Sequence, residues 1–159
     1  MQLDGAKLRG ALLRDVDLDS GSWANAEALE SELRRVRFRN TRLTGATFAN
    51  AALDDVVFEN CRLDLASFRF AKIARSRFEG CRLDEADLYA ATLEGAAVSD
   101  CSLVRASLAE ATFVDCELRG CDLTSLGNPE RLRGVRMTWH DVVDATSVLA
   151  TAVGIVVVD

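Results

Sequence analysis

Cys81-Arg82-Leu83-Asp84-Glu85-Ala86-Asp87-Leu88-Tyr89-Ala90 is two five-residue units laid end to end, each with a small residue first and leucine third. Extended both ways, the third position recurs without a break from Leu3 to Leu123, and of its 25 occupants only Ala28 is not a large apolar residue. Two residues earlier, from Ala6 to Cys121, all 24 positions hold Ala, Cys, Val, Ser, Thr or Gly. An α-helix repeats at 3.6 residues and a flat strand at 2.0, so neither keeps a stripe of period five on one face over such a length. A coil that turns a corner every five residues does. The position two after each large residue is where the corner falls, and 14 of its 25 occupants are Gly, Asn or Asp, Gly45, Asn50, Asn60 and Gly80 among them. These residues tolerate the backbone angles of tight turns.

Ala86-Asp87-Leu88-Tyr89-Ala90, Ala46-Thr47-Phe48-Ala49-Asn50 and Cys81-Arg82-Leu83-Asp84-Glu85 resemble the A-(D/N)-L-x-x units of the pentapeptide-repeat family. The resemblance implies an all-β solenoid, a right-handed quadrilateral β-helix with four units to each coil. Residues 1–125 then form about six coils, stacked at the roughly 4.8 Å spacing of neighbouring strands. Residues twenty apart lie above one another, so Phe38, Phe58 and Phe78 make one interior ladder and Phe48 and Phe68 a second. Cys61, Cys81, Cys101 and Cys121 make a column of small buried thiols whose side chains run parallel and do not point at one another.

Residues 126–159 depart from the repeat and read as a cap, which open solenoid ends require. A loop at Leu126-Gly127-Asn128-Pro129 breaks the phase, and Leu132 and Met137 suggest one more fragment of coil. Thr138-Trp139-His140-Asp141 has the form of a capping box, opening a helix over about 139–153 with Trp139, Val142, Val143, Leu149 and Val153 on one face. Gly154 closes it, and Ile155 to Val158 form a short strand whose partner is the last coil or a second subunit. A homodimer through this cap is one expected arrangement. At the other end the repeat begins at once, leaving an uncovered edge.

Composition narrows the chemistry. A net charge of −6 with 28% charged residues disfavours direct nucleic-acid binding. No apolar run reaches the ~18 residues of a membrane span and no signal-peptide core precedes the repeat, so we expect a cytoplasmic protein with no membrane contact. The five cysteines include no Cys-x-x-Cys, no glycine-rich phosphate loop is present, and the single histidine, His140, has no nucleophile beside it in a motif. No metal, cofactor or catalytic residue is expected.

Functional candidates are therefore the outward side chains. Leu29, Leu65, Phe70 and Tyr89 suggest an apolar protein-contact face, with Phe70 and Tyr89 on adjacent coils. Charge is uneven: residues 1–80 hold 13 basic and 12 acidic side chains, residues 81–159 hold 6 and 13. The acidic end carries Asp84, Glu85, Asp87, Glu94, Asp100, Glu110, Asp115, Glu117 and Asp122; Arg34, Arg35, Arg37, Arg39 and Arg42 oppose it. The expected function is non-catalytic protein interaction or scaffolding. The resemblance adds an alternative: some family members are dimeric acidic rods that mimic DNA and bind DNA gyrase or topoisomerase IV. This chain shares the acidic balance but is short and lacks projecting loops.

Overall fold

Every fifth residue from Gly5 to Ser125 has a positive φ, between 49° and 69°, in a computed structural model that describes residues 1–159. The corner position of the sequence is thus a left-handed residue at every unit, whether Gly, Asn or, less comfortably, Leu65, Phe70 and Arg75. Such a conformation costs a non-glycine residue about 1 kcal/mol or more. At Gly80 (φ 62°) crowding adds to this, because a Cβ there would stand 2.5 Å from the Asn60 Oδ1 of the coil below.

Between corners the chain pairs with itself twenty residues on. Nine strands form one parallel sheet: β1 (Leu12–Ser22), β2 (Glu32–Arg42), β3 (Ala52–Glu59), β4 (Lys72–Ala74), β5 (Arg77–Glu79), β6 (Thr92–Glu94), β7 (Ala97–Ser99), β8 (Thr112–Val114) and β9 (Glu117–Arg119). Their register is Leu13↔Leu33, Leu33↔Leu53, Leu53↔Ile73, Ile73↔Leu93 and Leu93↔Phe113 on one face, and Phe38↔Phe58, Phe58↔Phe78 and Phe78↔Val98 on the next. The other two faces pair through single bridges, such as Arg42↔Arg62↔Arg82 and Thr47↔Ser67↔Asp87. The expected four-sided parallel β-solenoid is what forms.

Both inward columns are buried along most of the rod. Phe38, Phe58 and Phe78 stack face to face at 5.1 and 4.9 Å, and Phe48 stacks on Phe68 at 5.4 Å. The two ladders meet edge-on, Phe58 against Phe48 at 6.1 Å and against Phe68 at 6.2 Å. Trp23 closes the lower end edge-on to Phe38 at 5.3 Å. Above Phe68 and Phe78 the interior passes to Leu88, Val98, Leu103 and Leu108, smaller side chains around a void of about 30 Å³. In the first coil Leu3, Leu8, Leu13 and Leu18 are only partly buried.

The upper end departs from the register by one residue. Gly127 still bridges Ser107, but Arg136 bridges Glu117, an offset of nineteen. Asn128, left-handed at φ 57°, leads into a 3₁₀ turn over Pro129–Leu132 where the next strand would lie. The sheet path therefore ends at β8, which pairs with β6 below and has no strand above.

Two expectations for the cap are corrected. The single helix over about 139–153 is two short ones, α1 (Trp139–Asp144) and α2 (Thr146–Ala152), separated at Ala145. The Thr146 hydroxyl donates back to the Val143 carbonyl at 2.6 Å, a bond that bends helices, and Ala145 is buried at the bend. The apolar set foreseen on one face is consequently divided: Trp139, Val143 and Val153 are exposed, Val142 is half-buried, and Leu149, with Val148 beside it, packs on the core. The expected strand at about 155–158 is absent, since that segment makes no ladder and its side chains face solvent. The N-cap forms as expected, with the Asp141 amide donating to the Thr138 hydroxyl at 3.2 Å, but the reciprocal bond of a capping box does not: the Asp141 carboxylate accepts from that same hydroxyl at 2.7 Å, not from the Thr138 amide. Asp141 also accepts from the Gly120 amide at 3.0 Å, tying α1 to the last coil. At the far end Gly154, φ 81°, closes α2 in a Schellman turn, with Ile155 N–H on Ala150 O at 2.9 Å and Gly154 N–H on Thr151 O at 3.0 Å.

Two outcomes follow. Phe58→Ala empties the centre of one aromatic ladder and removes its edge-on contacts with the other, and is expected to cost about 3–5 kcal/mol in urea unfolding; a loss under about 1 kcal/mol would contradict the packing. The Asp141 carboxyl is held below its ordinary 3.8 by the Thr138 hydroxyl and then the Gly120 amide. Its contribution is complete above about pH 4 and is lost as pH falls through the lower folded value. Asp141→Asn is accordingly expected to show a smaller fall in Tm between about pH 6 and about pH 3 than the unaltered chain. Identical falls would exclude this tie.

Candidate protein-interaction site

Phe70 occupies a corner at φ 58° with half of its surface in solvent. The Tyr89 ring of the next coil stands edge-on to it at 5.5 Å, 79° between planes. The Arg69 guanidinium lies 4.6 Å from the Tyr89 ring centroid and pairs with Asp87 at 2.9 Å. Asp87 in turn accepts from the Tyr89 amide at 2.9 Å. The aromatic pair is thus fixed from two sides, with Ala90 at the corner above it. Leu65 is also exposed and left-handed, φ 60°, but it sits at the preceding corner, across the face that carries Ser67 and Arg69. Leu29 is half-buried two coils below Arg69, with Ala49 between. The structure thus brings Phe70 and Tyr89 together and leaves Leu29 apart.

The acidic residues are not gathered into one patch. Successive corners carry Asp84 and Glu85, Asp87 and Glu110, Glu94 and Asp115, and Asp100 and Glu117 to different sides of the rod. Most are paired: Asp84 with Arg82 at 3.1 Å, Glu85 with Arg105 at 3.0 Å, Glu110 with Arg131 at 2.9 Å, Glu117 with Arg119 at 3.4 Å and Asp115 with Arg136 at 3.9 Å. Asp122, outside that set of pairs, accepts from Thr124. The basic cluster is likewise divided, Arg35 pairing with Asp15 and Arg39 with Asp17 and Asp19.

Comparison with known proteins agrees with this geometry. Residues 51–127 match the model of a pentapeptide repeat region, and residues 31–69 match that of pentapeptide repeats in eight copies. The chain belongs to the pentapeptide-repeat family. No curated protein sequence matches it significantly. Among solved structures it is similar to HetL, a pentapeptide-repeat protein involved in heterocyst differentiation regulation in the cyanobacterium Nostoc, with 22% identity, 86% of this chain and 74% of that one covered, and a TM-score of 0.52. QnrB1, a plasmid-mediated fluoroquinolone resistance protein, aligns over 99% of this chain and 96% of its own at 16% identity and a TM-score of 0.37. A pentapeptide-repeat protein of the Arabidopsis thaliana thylakoid lumen aligns over 89% and 78% at 18% identity and 0.38. The likeness to HetL bears on the fold alone.

As in the repeat reading, the cysteines of this pentapeptide-repeat chain are core. Cys61, Cys81 and Cys101 are buried, Cys121 is half-buried, and none is in a disulfide. Each thiol donates to a backbone carbonyl of the coil below, Cys81 to Phe58 O at 3.2 Å and Cys101 to Phe78 O at 3.4 Å. The Cys81 thiol is pushed well above its ordinary value by the Cys101 and Cys61 thiols and then by burial. Cys121 lines a cleft of about 520 Å³ with His140, Asp141 and Asp144, a grouping that sequence spacing does not reveal. The His140 imidazole lies 3.3 Å from the Asp144 carboxylate, the Cys121 thiol donates to the Val98 carbonyl instead, and burial pushes Cys121 up to about 11. A thiol so far protonated at neutral pH is a poor nucleophile.

At about pH 8 Cys121 is expected to react with a disulfide reagent about a hundredfold more slowly in the native protein than after unfolding. Cys61, Cys81 and Cys101 should not react until the rod unfolds. Rapid labelling of the column in the native state would show that its thiols are not core.

Proposed function

We propose that this chain is a non-catalytic interaction protein that engages a protein partner through the Phe70 and Tyr89 surface. The observation that carries this is the residue at the Phe70 corner. Folding alone favours Gly, Asn or Asp there, and a bulky aromatic in the left-handed region is an outlier. The ring gains little burial in return, since half of it stays in solvent. It stands instead against Tyr89 and beside Arg69, and aromatic residues with arginine are the side chains most enriched at the centres of protein interfaces. A DNA-mimicking role against a type II topoisomerase draws no support from the charge pattern, because such mimicry needs a continuous acidic field. Here the carboxylates are spread around the rod and largely neutralised by arginine.

Phe70→Asn separates the two demands on this position. It is expected to leave the rod as stable or to stabilise it by up to about 1 kcal/mol in urea unfolding. A protein retained by the immobilised wild-type chain from lysate of its source should be lost by Phe70→Asn and Tyr89→Lys. It should be kept by Arg34→Ala, whose side chain lies on another face. Identical retention by wild type and both aromatic variants would remove this surface from the function.

A further inference from the structure

The missing rung above β8 leaves a binding edge. In the coil below, the Gly95 amide donates upward to Val114 O at 2.9 Å, but the equivalent Asp115 amide has no acceptor. Where that acceptor would lie, the chain has instead wound into the Pro129–Leu132 turn. Between β8, this turn and α2 lies an open groove of about 830 Å³. Phe113, Leu132, Leu149 and Val153 line its apolar part. Phe113 is the one aromatic of the inward column that stays only half-buried. Arg133, on the rim, has no acidic partner, whereas the neighbouring Arg131 is paired with Glu110.

The same protein carries a segment suited to that edge. Ile155-Val156-Val157-Val158 is a run of β-branched residues, between 57% and 84% exposed and hydrogen-bonded to no coil, followed by Asp159. Unpaired edges and exposed strand-forming runs are both sites of intermolecular pairing, which proteins otherwise suppress with charge, proline or a cover. The segment does not cover its own groove: none of residues 155–158 lines it, and all four side chains stay exposed.

We propose that the groove above β8 receives residues 155–158 of a second copy of this chain, added as a strand to the β8 edge. Because each molecule has one groove and one tail, reciprocal exchange closes a two-fold dimer. The β-branched side chains fill the apolar wall by Phe113 and Leu149. The backbone of the incoming segment supplies the carbonyl that the Asp115 amide lacks, and Asp159 meets the free Arg133. This inference is independent of the Phe70 surface, which lies on earlier coils, so either stands without the other.

Light scattering on the full chain tests it, with a dimer expected whose dissociation constant rises at least about tenfold in Val157→Asp. That side chain is exposed in the single chain, so at concentrations below the dissociation constant the Tm of Val157→Asp is expected to equal that of the unaltered chain. Occupancy is tested by mixing Thr112→Cys and Val157→Cys proteins under oxidising conditions. A disulfide-linked pair containing one of each is expected on a non-reducing gel, absent when either is mixed with wild type. A monomer at about 100 μM, a dimer indifferent to Val157→Asp, or a Thr112→Cys/Val157→Cys chain that closes only within itself would each overturn the proposal.

Discussion

Everything in this molecule depends on a left-handed residue at every fifth position. That single conformation, repeated from Gly5 to Ser125, turns the chain at each corner and lets four short segments close a coil that pairs with the next twenty residues on. Each segment alone is too short to be stable. Stacking supplies what it lacks, because each coil hydrogen-bonds to its neighbours and adds its inward residues to a continuous apolar column. The corner is also where the chain is least free to vary, which makes a leucine or phenylalanine there more informative than one on a flat face.

The interior and the exterior then divide the work. Stacked phenylalanines hold the middle coils, and their replacement by leucine and valine above Phe78 leaves the small void of the upper half. Outside, ion pairs such as Arg35 with Asp15 and Arg105 with Glu85 join side chains of adjacent coils. Exposed pairs of this kind contribute little each, typically under about 1 kcal/mol. Their effect here is on the field of the rod: arginines neutralise the carboxylates locally, so an excess of negative charge does not become an acidic face.

The five-residue period was legible in the sequence itself, and the resemblance to pentapeptide repeats implied the twenty-residue coil that sets the register. That register places the phenylalanine ladders, the cysteine column and the Phe70 and Tyr89 contact. What was not legible lies where the repeat stops constraining the chain. The one-residue slip between Gly127 and Arg136 depends on how Asn128 and Pro129 turn, and it removes the strand that would have covered β8. The break at Ala145 depends on a hydroxyl bonding back to the previous turn, which helical periodicity does not register. The acidic residues of the last coils looked like a patch because they are close in sequence, but each corner carries the next unit to another face.

Native-state amide hydrogen exchange tests the central claim most directly, since the coil specifies which amides point up the rod to a carbonyl 19 residues on or down it to one 21 residues back. The account predicts the slowest exchange from about Leu43 to Leu103, with the corner amides of Asn60, Gly80 and Asp100 protected to the level of global unfolding. Fast exchange at those corners, with protection confined to isolated segments, would contradict a solenoid held together by its left-handed turns.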